Sequence, residues 1–313
     1  MRIVFMGTTE FGIPALRAFN ERHDVAAVVT RCDACRGRGR KMLPTSVKMA
    51  ARDMGIPVLE PEALTEPDFI RNLKEFDADL FFVAAFRILP KEVFTIPPKG
   101  TVNLHASLLP DYRGAAPINW TIINGDDMTG LTTFFIEEKV DTGDIVLNTR
   151  VSIGPDETAG ELAERMKVIG AELSLKTVDM MEQGTVRLTK QPAVSSRPAP
   201  KLSREDGRID WQSDAQTIHN HVRGMNPSPV AFTEWTRGPL KIHRTEVVDT
   251  DSPGTPGLVE EFSAHDGFIV SCGKGKLRVC EVQPPGKKRM DGPSFACGYR
   301  IEKGMYLNQQ SVQ

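Results

Sequence analysis

Two polar residues, Asn103 and His105, interrupt the apolar stretch VNLHASLLP that begins at Val102. Residues two apart on a strand point to the same face, so their side chains would lie side by side. An Asn amide can donate a hydrogen bond to a developing oxyanion, and an imidazole moves protons near neutral pH. The pair therefore suits acyl transfer. The alternative is a satisfied polar pair near a sheet edge.

Asp141, in the segment VDTGDI, is a third candidate for the same chemistry. A carboxylate near an imidazole can fix its tautomer and stabilise its charged form. Spacing alone does not bring Asp141 to His105, and the segment also fits a simple Asp-Gly turn. In open α/β sheets, ligands bind beyond the carboxyl ends of the strands. We therefore expect the chemistry at the end of the strand that carries Asn103 and His105.

The elements that must position these residues alternate between strands and helices over residues 1–189. Predicted strands cover residues 2–6, 25–30, 58–59, 80–84, 101–105, 131–136 and 144–151. Predicted helices cover residues 11–22, 46–54, 67–76, 116–124 and 158–183. The alternation predicts an α/β fold, a doubly wound, mostly parallel, Rossmann-like sheet that forms the catalytic domain.

The composition changes after this domain. Residues 190–206 are rich in Pro and Ser and are predicted to be a linker. Beyond them come a helix at 215–223 and short strands at 231–234, 240–248, 257–262, 267–271 and 276–283. Such strands, separated by Gly, Pro and Asp, predict a small C-terminal β-barrel, OB-like domain over residues 207–313.

Charge and cysteine content limit the possible functions. The 39 Lys and Arg against 41 Asp and Glu give a net charge of -2, so any nucleic-acid contact must depend on a local patch. Five cysteines and an N-terminal run unlike a signal peptide predict reduced thiols in a cytoplasmic protein. No apolar segment reaches the roughly 18 residues of a membrane span. GTTEFG lacks the G-x-G-x-x-G pattern, which argues against a dinucleotide site.

One local basic patch is the segment over residues 31–48, which has six basic residues against the single acid Asp33. Basic side chains on a glycine-containing loop can neutralise phosphates and fold on contact. The alternative is a solvated surface loop. The candidates for nucleic-acid contact here are Arg36, Arg38, Arg40 and Lys41.

Two further features stay open at this stage. Cys32 and Cys35 form a C-x-x-C pair, which can be two ordinary thiols, a redox pair or half of a metal site. A zinc site needs about four ligands and no second pair is close in the sequence, so we expect no metal. A second basic patch, in the C-terminal domain, contains Lys274, Lys287 and Lys288 and is either a phosphate-binding surface or an exposed turn.

Longer segments resemble a known family. NLHASLLPDYRGAAPINW and TGLTTFFIEEKVDTGDIV resemble the signature of the folate-dependent formyltransferases. GTTEFGIPAL, KLSREDGRIDW, MNPSPVAF and VQPPGKKRM extend the resemblance over nearly the whole chain. It is strongest to the branch that acts on methionyl-tRNA. The resemblance implies transfer of a formyl group from 10-formyltetrahydrofolate, as co-substrate, to the amine of initiator methionyl-tRNA, for translation initiation.

The resemblance also implies roles for individual residues. Asn103 would hydrogen-bond the formyl oxygen, and His105, supported by Asp141, would move a proton from the amine to the folate nitrogen. The residues implied in folate binding are Ser107, Leu108, Leu109, Pro110, Phe86, Ile88 and Leu89. The basic loop would contact the acceptor end of tRNA, and the C-terminal domain would also bind tRNA. The implied protein is a monomer without a metal or a membrane contact.

The chain departs from the family at one position and leaves other activities open. Phe86-Arg87 stands where the family often has Tyr-Gly, so Arg87 could alter folate affinity or point to solvent. A sugar-nucleotide N-formyltransferase has similar motifs but lacks the basic loop. A folate-dependent hydrolase would use water as the acceptor, and a tRNA-binding module would use no catalytic site. Glycinamide ribonucleotide transformylases lack the second domain.

Overall fold

A computed structural model describes residues 1–36, 41–192, 197–263 and 265–307, without the side chains of Cys35, Arg36 and Lys41. The chain divides into two compact units. The first contains Met1–Gly114, Thr129–Val151 and Ala163–Ala199. The second contains Ala115–Met128, Ser152–Leu162 and Pro200–Gln313. Each unit therefore takes residues from more than one stretch of the chain.

A seven-stranded sheet forms the centre of the first unit, in the order β10-β9-β7-β6-β1-β2-β5. Its strands are β1 (Arg2–Gly7), β2 (Asp24–Val29), β5 (Val58–Leu59), β6 (Leu80–Ala84), β7 (Thr101–His105), β9 (Met128–Phe135) and β10 (Ile145–Ser152). The pairs from β5 to β7 are parallel, and β9 is antiparallel to β7. The predicted mostly parallel sheet is confirmed.

Two short strand pairs complete the strands of the first unit. A hairpin pairs β3 (Ala34–Arg36) with β4 (Lys41–Leu43), and β8 (Arg113–Gly114) pairs in parallel with β11 (Pro198–Ala199). Neither pair was predicted, because the four segments are short and most mix polar with apolar residues, so they show no strand pattern. Residues 190–192 and 197–199, predicted as linker, pack with the first unit.

Helices cover both faces of the central sheet. Successive side chains of a strand point to opposite faces, and the strands carry apolar side chains on both. Phe5 and Phe82 stack on one face and meet Phe19, whereas Val4 and Met6 join the cluster on the other face. The helices of the first unit are α1 (Ile13–Arg22), α2 (Ser46–Asp53), α3 (Pro67–Glu75), α4 (Lys91–Phe94) and, from Ala163 on, α6 (Ala159–Glu182). Helix α5 (Pro117–Ile123) belongs to the second unit. A 3₁₀ turn, Glu10–Gly12, precedes α1, where the sequence predicted one continuous helix.

The second unit is built on an antiparallel sheet in the order β12-β13-β16-β15-β14, with β17 paired to β16. Its strands are β12 (Ala231–Trp235), β13 (Gly238–Pro253), β14 (Val259–Ser263), β15 (Gly267–Ser271), β16 (Lys274–Gln283) and β17 (Met290–Asp291). The five predicted strands match within a few residues, except that β13 is longer. Helices α7 (Ala215–Gly224) and α8 (Gly292–Tyr299) complete the set.

The core of the second unit contains Trp211, Trp235, Phe268 and Phe295, all nearly inaccessible to solvent. Helix α8 supplies Phe295 and was not predicted, since glycines at both of its ends hide the helical pattern. Its start is nevertheless capped, because Asp291 accepts a hydrogen bond from the Ser294 amide. Across the described parts of the chain, every helix is too short or too polar to cross a membrane.

Candidate active site

Strand β7 places Asn103 and His105 on the same face. Asn103 lies between Val83 of β6 and Phe134 of β9, and His105 lies opposite Thr132 of β9. The Asn103 side chain is half-buried, and no hydrogen bond to its amide is found among the described residues. A half-buried amide with free hydrogen-bonding capacity can donate to a ligand oxygen. The strand therefore presents the pair as the sequence predicts.

The backbone fixes the tautomer of His105. Its Nε2 lies 2.9 Å from the carbonyl oxygen of Tyr112. A carbonyl oxygen only accepts hydrogen bonds, so Nε2 carries the proton and Nδ1 is left with the lone pair. The imidazole is 7% exposed and packs edge-on against Phe134. Its Nδ1 is therefore the atom that can accept a proton from a substrate or share one with a neighbour.

The structure brings Asp141 to this imidazole. Its Oδ2 lies 3.9 Å from His105 Nδ1, within the range of an ion pair but longer than a hydrogen bond. The same oxygen accepts a 3.0 Å hydrogen bond from the Gly114 amide. Gly114 has φ +127°, and a Cβ there would lie 2.4 Å from the Ala199 carbonyl oxygen, so the position requires glycine. The Gly114 contact could not be read from spacing.

The turn after β7 is held by hydrogen bonds of its own residues. Ser107 Oγ donates to the Asp111 carbonyl at 2.6 Å. Thr132 Oγ1 donates to the Ser107 carbonyl at 2.7 Å and accepts from the Leu109 amide at 3.2 Å. Thr132 therefore shapes the segment implied in folate binding, a role that was not predicted from the sequence. The one feature of the sequence that could have indicated this role is the pair of threonines, Thr132 and Thr133, inside an otherwise apolar strand.

Apolar side chains of the same turn pack under the site. Leu109 forms a cluster with Phe134 and Ile145. The Leu108 side chain covers Gly130, where an added Cβ would lie 2.5 Å from Leu108 Cδ2. Pro110 is half-buried. The segment implied in folate binding is thus a preformed turn with an apolar floor.

The second implied wall of the pocket, at Phe86, Ile88 and Leu89, follows β6. Strands β6 and β7 are adjacent and parallel, so this wall and the turn after β7 emerge at the same edge of the sheet. Phe86 and Leu89 pack into the core of the unit. Ile88 is 76% exposed and is the side chain of this wall that remains free for a ligand.

Arg87 does not simply point to solvent. Its guanidinium donates to the Glu62 carbonyl at 2.9 Å and to the Pro61 carbonyl at 3.0 Å, and lies 5.4 Å from the centre of the Phe86 ring. Burial lowers the pKa of Arg87, and nearby Arg31 adds to the effect. Arg87 therefore links the pocket wall to Pro61 and Glu62, in the segment after β5. Of the two alternatives for Arg87, an effect on folate affinity or a side chain that points to solvent, the structure does not support the second.

The basic loop is only partly described. Arg38 and Arg40 lie outside the described residues, and so do the side chains of Arg36 and Lys41. The hairpin β3–β4 brings the backbones of Arg36 and Lys41 opposite each other. This pairing places the two residues that flank residues 37–40 side by side in the first unit.

Lys48 anchors the base of this hairpin. Its Nζ lies 2.6 Å from Asp33 Oδ1 and 2.8 Å from Glu60 Oε1, and its side chain is 6% exposed. Hydrogen bonding to Asp33, then to Glu60, raises the pKa of Lys48. Cys32 Sγ donates to the Glu60 carbonyl at 3.1 Å. The Cys35 side chain is not described, so the three readings of the cysteine pair stay open.

The basic residues of the second unit differ in their partners. Lys274 Nζ lies 2.7 Å from Asp251 Oδ1. Lys287 and Lys288 are exposed in the turn between β16 and β17, and within the described ranges neither has an ion-pair partner. Of the three predicted phosphate contacts, two therefore present a charge that no carboxylate of the described residues neutralises.

Three potential metal ligands meet elsewhere in the first unit. His23, Asp179 and Glu182 each offer one ligand atom within 4.8 Å of the others. The Met1 ammonium lies 2.5 Å from Glu182 Oε1 and 3.4 Å from His23 Nδ1. The Met1 ammonium pairs with Glu182, and the Arg22 guanidinium lies 3.4 Å from Asp179 Oδ2, so we assign these carboxylates to an ion-pair network.

Two family models match this chain. One, described as formyl transferase, covers residues 1–178. The other, described as formyl transferase, C-terminal domain, covers residues 201–300. The first spans more than half of the chain and includes Asn103, His105 and Asp141.

Curated relatives match over almost their full length. A methionyl-tRNA formyltransferase of Acetivibrio thermocellus is 44% identical over 99% of this chain and 100% of its own. One of Symbiobacterium thermophilum is 45% identical over 97% of this chain and 94% of its own. One of Porphyromonas gingivalis is 42% identical over 98% of both.

Solved structures share the fold at lower identity. A sugar 3N-formyl transferase crystallised with dTDP and 5-N-formyl-THF has a TM-score of 0.68 at 19% identity, over 92% of this chain and 99% of that one. An N-formyltransferase of Helicobacter canadensis has a TM-score of 0.66 at 22% identity, over 88% and 98%. Because a formyl transferase model spans most of the first unit and relatives 44% and 45% identical match nearly the whole chain, this protein belongs to the formyl transferase family, in its methionyl-tRNA formyltransferase branch.

Proposed function

We propose that this protein transfers the formyl group of 10-formyltetrahydrofolate to the free amine of initiator methionyl-tRNA, for translation initiation. The observation that carries the proposal is the grouping of the half-buried Asn103 amide, the His105 imidazole and the Asp141 carboxylate at one edge of the sheet. The chain that carries this group of residues aligns over nearly its full length with methionyl-tRNA formyltransferases.

Each catalytic residue has a distinct task. Asn103 donates a hydrogen bond to the formyl oxygen, whose negative charge grows as the amine attacks the formyl carbon. His105 Nδ1 takes a proton from the attacking amine and returns it to the leaving folate nitrogen. Asp141 stabilises the imidazolium between the two transfers, since a carboxylate 3.9 Å away favours the charged ring.

The residues at the sheet edge fit a reduced folate. The bound co-substrate supplies the activated formyl group. Ile88 offers an exposed apolar surface, and the turn of Ser107, Leu108, Leu109 and Pro110 offers backbone polar groups above an apolar floor. Flat heteroaromatic ligands bind such combinations of apolar walls and a few convergent polar groups.

Contact with tRNA is assigned to the two basic patches. Arg36, Arg38, Arg40 and Lys41 form the patch of the first unit, and Lys274, Lys287 and Lys288 that of the second. Basic side chains bind phosphates by releasing condensed counterions, so these contacts supply affinity and not sequence selectivity.

We propose further that the chain acts as a cytoplasmic monomer. Light scattering of the purified protein should give the mass of a single 34.6 kDa chain. Cell fractionation should recover the protein in the soluble fraction. A dimeric mass, or recovery with membranes, would contradict this part of the proposal.

The decisive experiment offers 10-formyltetrahydrofolate together with one of three acceptors: methionylated initiator tRNA, a UDP-amino sugar or water alone. We expect formyl transfer to the tRNA only. Transfer to the sugar would identify a sugar N-formyltransferase, and release of formate without an acceptor would identify a hydrolase. A tRNA-binding module would bind the tRNA and transfer nothing.

A further inference from the structure

Residues of the predicted linker contact the turn that holds the catalytic pair. Residues Gln191, Pro192 and Arg197–Ala199 are here named the strap. The Arg197 carbonyl accepts a 2.6 Å hydrogen bond from the Tyr112 amide. Pro198 and Ala199, as β11, pair with Arg113 and Gly114 of β8. The strap thus runs alongside residues 112–114.

That turn fixes both members of the His105–Asp141 pair through its backbone. The Tyr112 carbonyl accepts from His105 Nε2, and the Gly114 amide donates to Asp141 Oδ2. Tyr112 and Gly114 are two residues apart, so a displacement of this turn would move both contacts together. The strap contacts the same turn through the Tyr112 amide and the β8–β11 pairing.

Gln191 of the strap joins the turn to the Asp141 loop. Its Oε1 accepts from the Arg113 guanidinium at 2.7 Å, and its Nε2 donates to the Gly143 carbonyl at 2.7 Å. The same Arg113 nitrogen donates to the Pro192 carbonyl at 3.0 Å. Gln191 therefore bridges Gly143, two residues after Asp141, to the residue that precedes Gly114.

The Asp141 loop has little room to adjust. An added Cβ at Gly143 would lie 1.8 Å from the Phe135 carbonyl oxygen, so the loop lies directly against β9. Asp141 itself has φ +55°, in the left-handed region. Left-handed backbone is unfavourable at a residue other than glycine, and surrounding contacts must hold it.

We propose that Gln191 is a positioning residue that sets the distance between Asp141 and His105. The proposal rests on the proposed function of this pair. Misplacing a catalytic group by about 1 Å can lower the rate about 100-fold. Without the Gln191 bridge, the Gly114 hydrogen bond is left to hold the Asp141 carboxylate to the turn, and we expect the distance from the carboxylate to His105 Nδ1 to change.

The first test is Gln191→Met, which keeps the length of the side chain and removes both hydrogen bonds. We expect kcat for formyl transfer to fall about 10- to 100-fold while KM for the folate stays unchanged. The matched control is Gln183→Met, at an exposed glutamine just beyond α6. An unchanged kcat in Gln191→Met, or equal losses in both variants, would overturn the proposal.

A double-mutant cycle separates positioning from general structural damage. If Gln191 acts through Asp141, then Gln191→Met causes no further loss in an Asp141→Asn background. A loss of equal size in both backgrounds would overturn the proposal. Gln191→Glu provides a second variant in case Gln191→Met does not fold, because it keeps the Arg113 contact and loses only the donor to Gly143.

A spectroscopic readout needs no turnover. The amide resonance of Gly114 reports its hydrogen bond to Asp141, and we expect it to shift in Gln191→Met and to stay unchanged in Gln183→Met. If the wild type transferred no formyl group to any acceptor, the proposed function would fail, and this resonance would still decide the role of Gln191. An unmoved Gly114 resonance would overturn that role.

Discussion

The tautomer of His105 decides which of its nitrogen atoms can move a proton. Nε2 is committed to a backbone carbonyl, that of Tyr112, and no side-chain substitution at Tyr112 removes that acceptor. The proton-accepting role of Nδ1 is therefore a property of the fold of the turn. In the proposed reaction, Asn103 contributes an amide and His105 a base.

Replacement of this base tests the assignment at the scale of one residue. We expect His105→Ala to lower kcat about 10³-fold, because general base catalysis typically contributes between 10² and 10⁴. Folate binding, measured by equilibrium titration, should persist. His265→Ala serves as the control, since His265 is exposed in a turn of the second unit. Retained turnover in His105→Ala would mean that another group takes the proton.

A second histidine, His243, makes stability depend on pH. It is 1% exposed, its Nδ1 has no hydrogen-bond partner among the described residues, and burial lowers its pKa from 6.5 to about 4. Between pH 6.5 and 4 the unfolded chain binds a proton that the folded chain does not. The free energy of unfolding should therefore fall on acidification, by about 2 kcal/mol at pH 4.5 from this residue alone.

The measurement compares urea unfolding of wild type and His243→Gln at pH 7 and pH 4.5. All three tryptophans, Trp120, Trp211 and Trp235, belong to the second unit, so their fluorescence reports the unit that contains His243. We expect a smaller loss of stability on acidification in the variant. Equal losses in the two proteins would show that His243 titrates normally.

Single residues also mark the limit of what could be predicted. The shared face of Asn103 and His105 followed from their spacing on a strand, since alternation is local. The approach of Asp141 depends on a hydrogen bond to Gly114, which is 27 residues away. Gln191 gave no signal at all, because its role depends on two contacts, one 48 and one 78 residues distant in the chain.

At the scale of elements, the hairpin β3–β4 depends on the anchor that Lys48 provides at its base. We expect Lys48→Met to lower the free energy of unfolding by about 2 kcal/mol, because it leaves Asp33 and Glu60 without their cation. Both carboxylates are partly exposed, which keeps the loss below that of a fully buried pair. Lys48→Arg should recover part of the lost free energy of unfolding.

The same ion pairs make the free energy of unfolding depend on pH in the alkaline range. The pKa of Lys48 is raised in the folded state, so its contribution is complete below the ordinary value of 10.5 and is lost as the pH rises through the folded value. Urea unfolding, followed by circular dichroism, should give a constant difference between wild type and Lys48→Met from pH 7 to 9. The difference should shrink above pH 10.5. A difference that grows there would contradict this account.

The basic loop itself is tested by its effect on salt dependence. Replacing Arg36, Arg38, Arg40 and Lys41 together by Ala should weaken tRNA binding and reduce the slope of log affinity against log salt by up to about 3. The control replaces four exposed basic residues of helices and turns in the first unit: Arg17, Arg52, Lys74 and Lys99. An unchanged slope in the loop variant would remove the loop from the tRNA interface.

Elements differed in how well the sequence predicted them. The central strands carry long apolar runs, because a parallel sheet is covered on both faces. The hairpin β3–β4 and the pair β8–β11 are each set by partners and not by local pattern. Residues 190–206 have the composition of a linker, yet Gln191, Pro192 and Arg197–Ala199 are held by specific contacts.

For the whole molecule, a net charge of -2 means that affinity for tRNA must come from a few uncompensated charges. Lys287 and Lys288 have no ion-pair partner in the described chain, whereas Lys274 is paired with Asp251. We expect Lys287→Ala with Lys288→Ala to reduce the salt slope by nearly 2, and Lys274→Ala to change it by less than 1. Binding titrations at several salt concentrations measure both slopes. A larger change of the salt slope in Lys274→Ala than in the double variant would contradict the assignment of tRNA affinity to the unpaired lysines.

The discontinuous make-up of the second unit has a consequence for its synthesis on the ribosome. Ala115–Met128 and Ser152–Leu162 leave the ribosome well before Pro200–Gln313, the sheet-forming stretch to which they belong. At about 5 to 20 residues per second, α5 waits roughly 10 to 40 seconds for the chain to be completed. Its apolar side chains stay without their native cover during that time. Nascent chains halted before residue 200 should therefore recruit chaperones, and a transplanted C-terminal domain would need both early segments from the same parent.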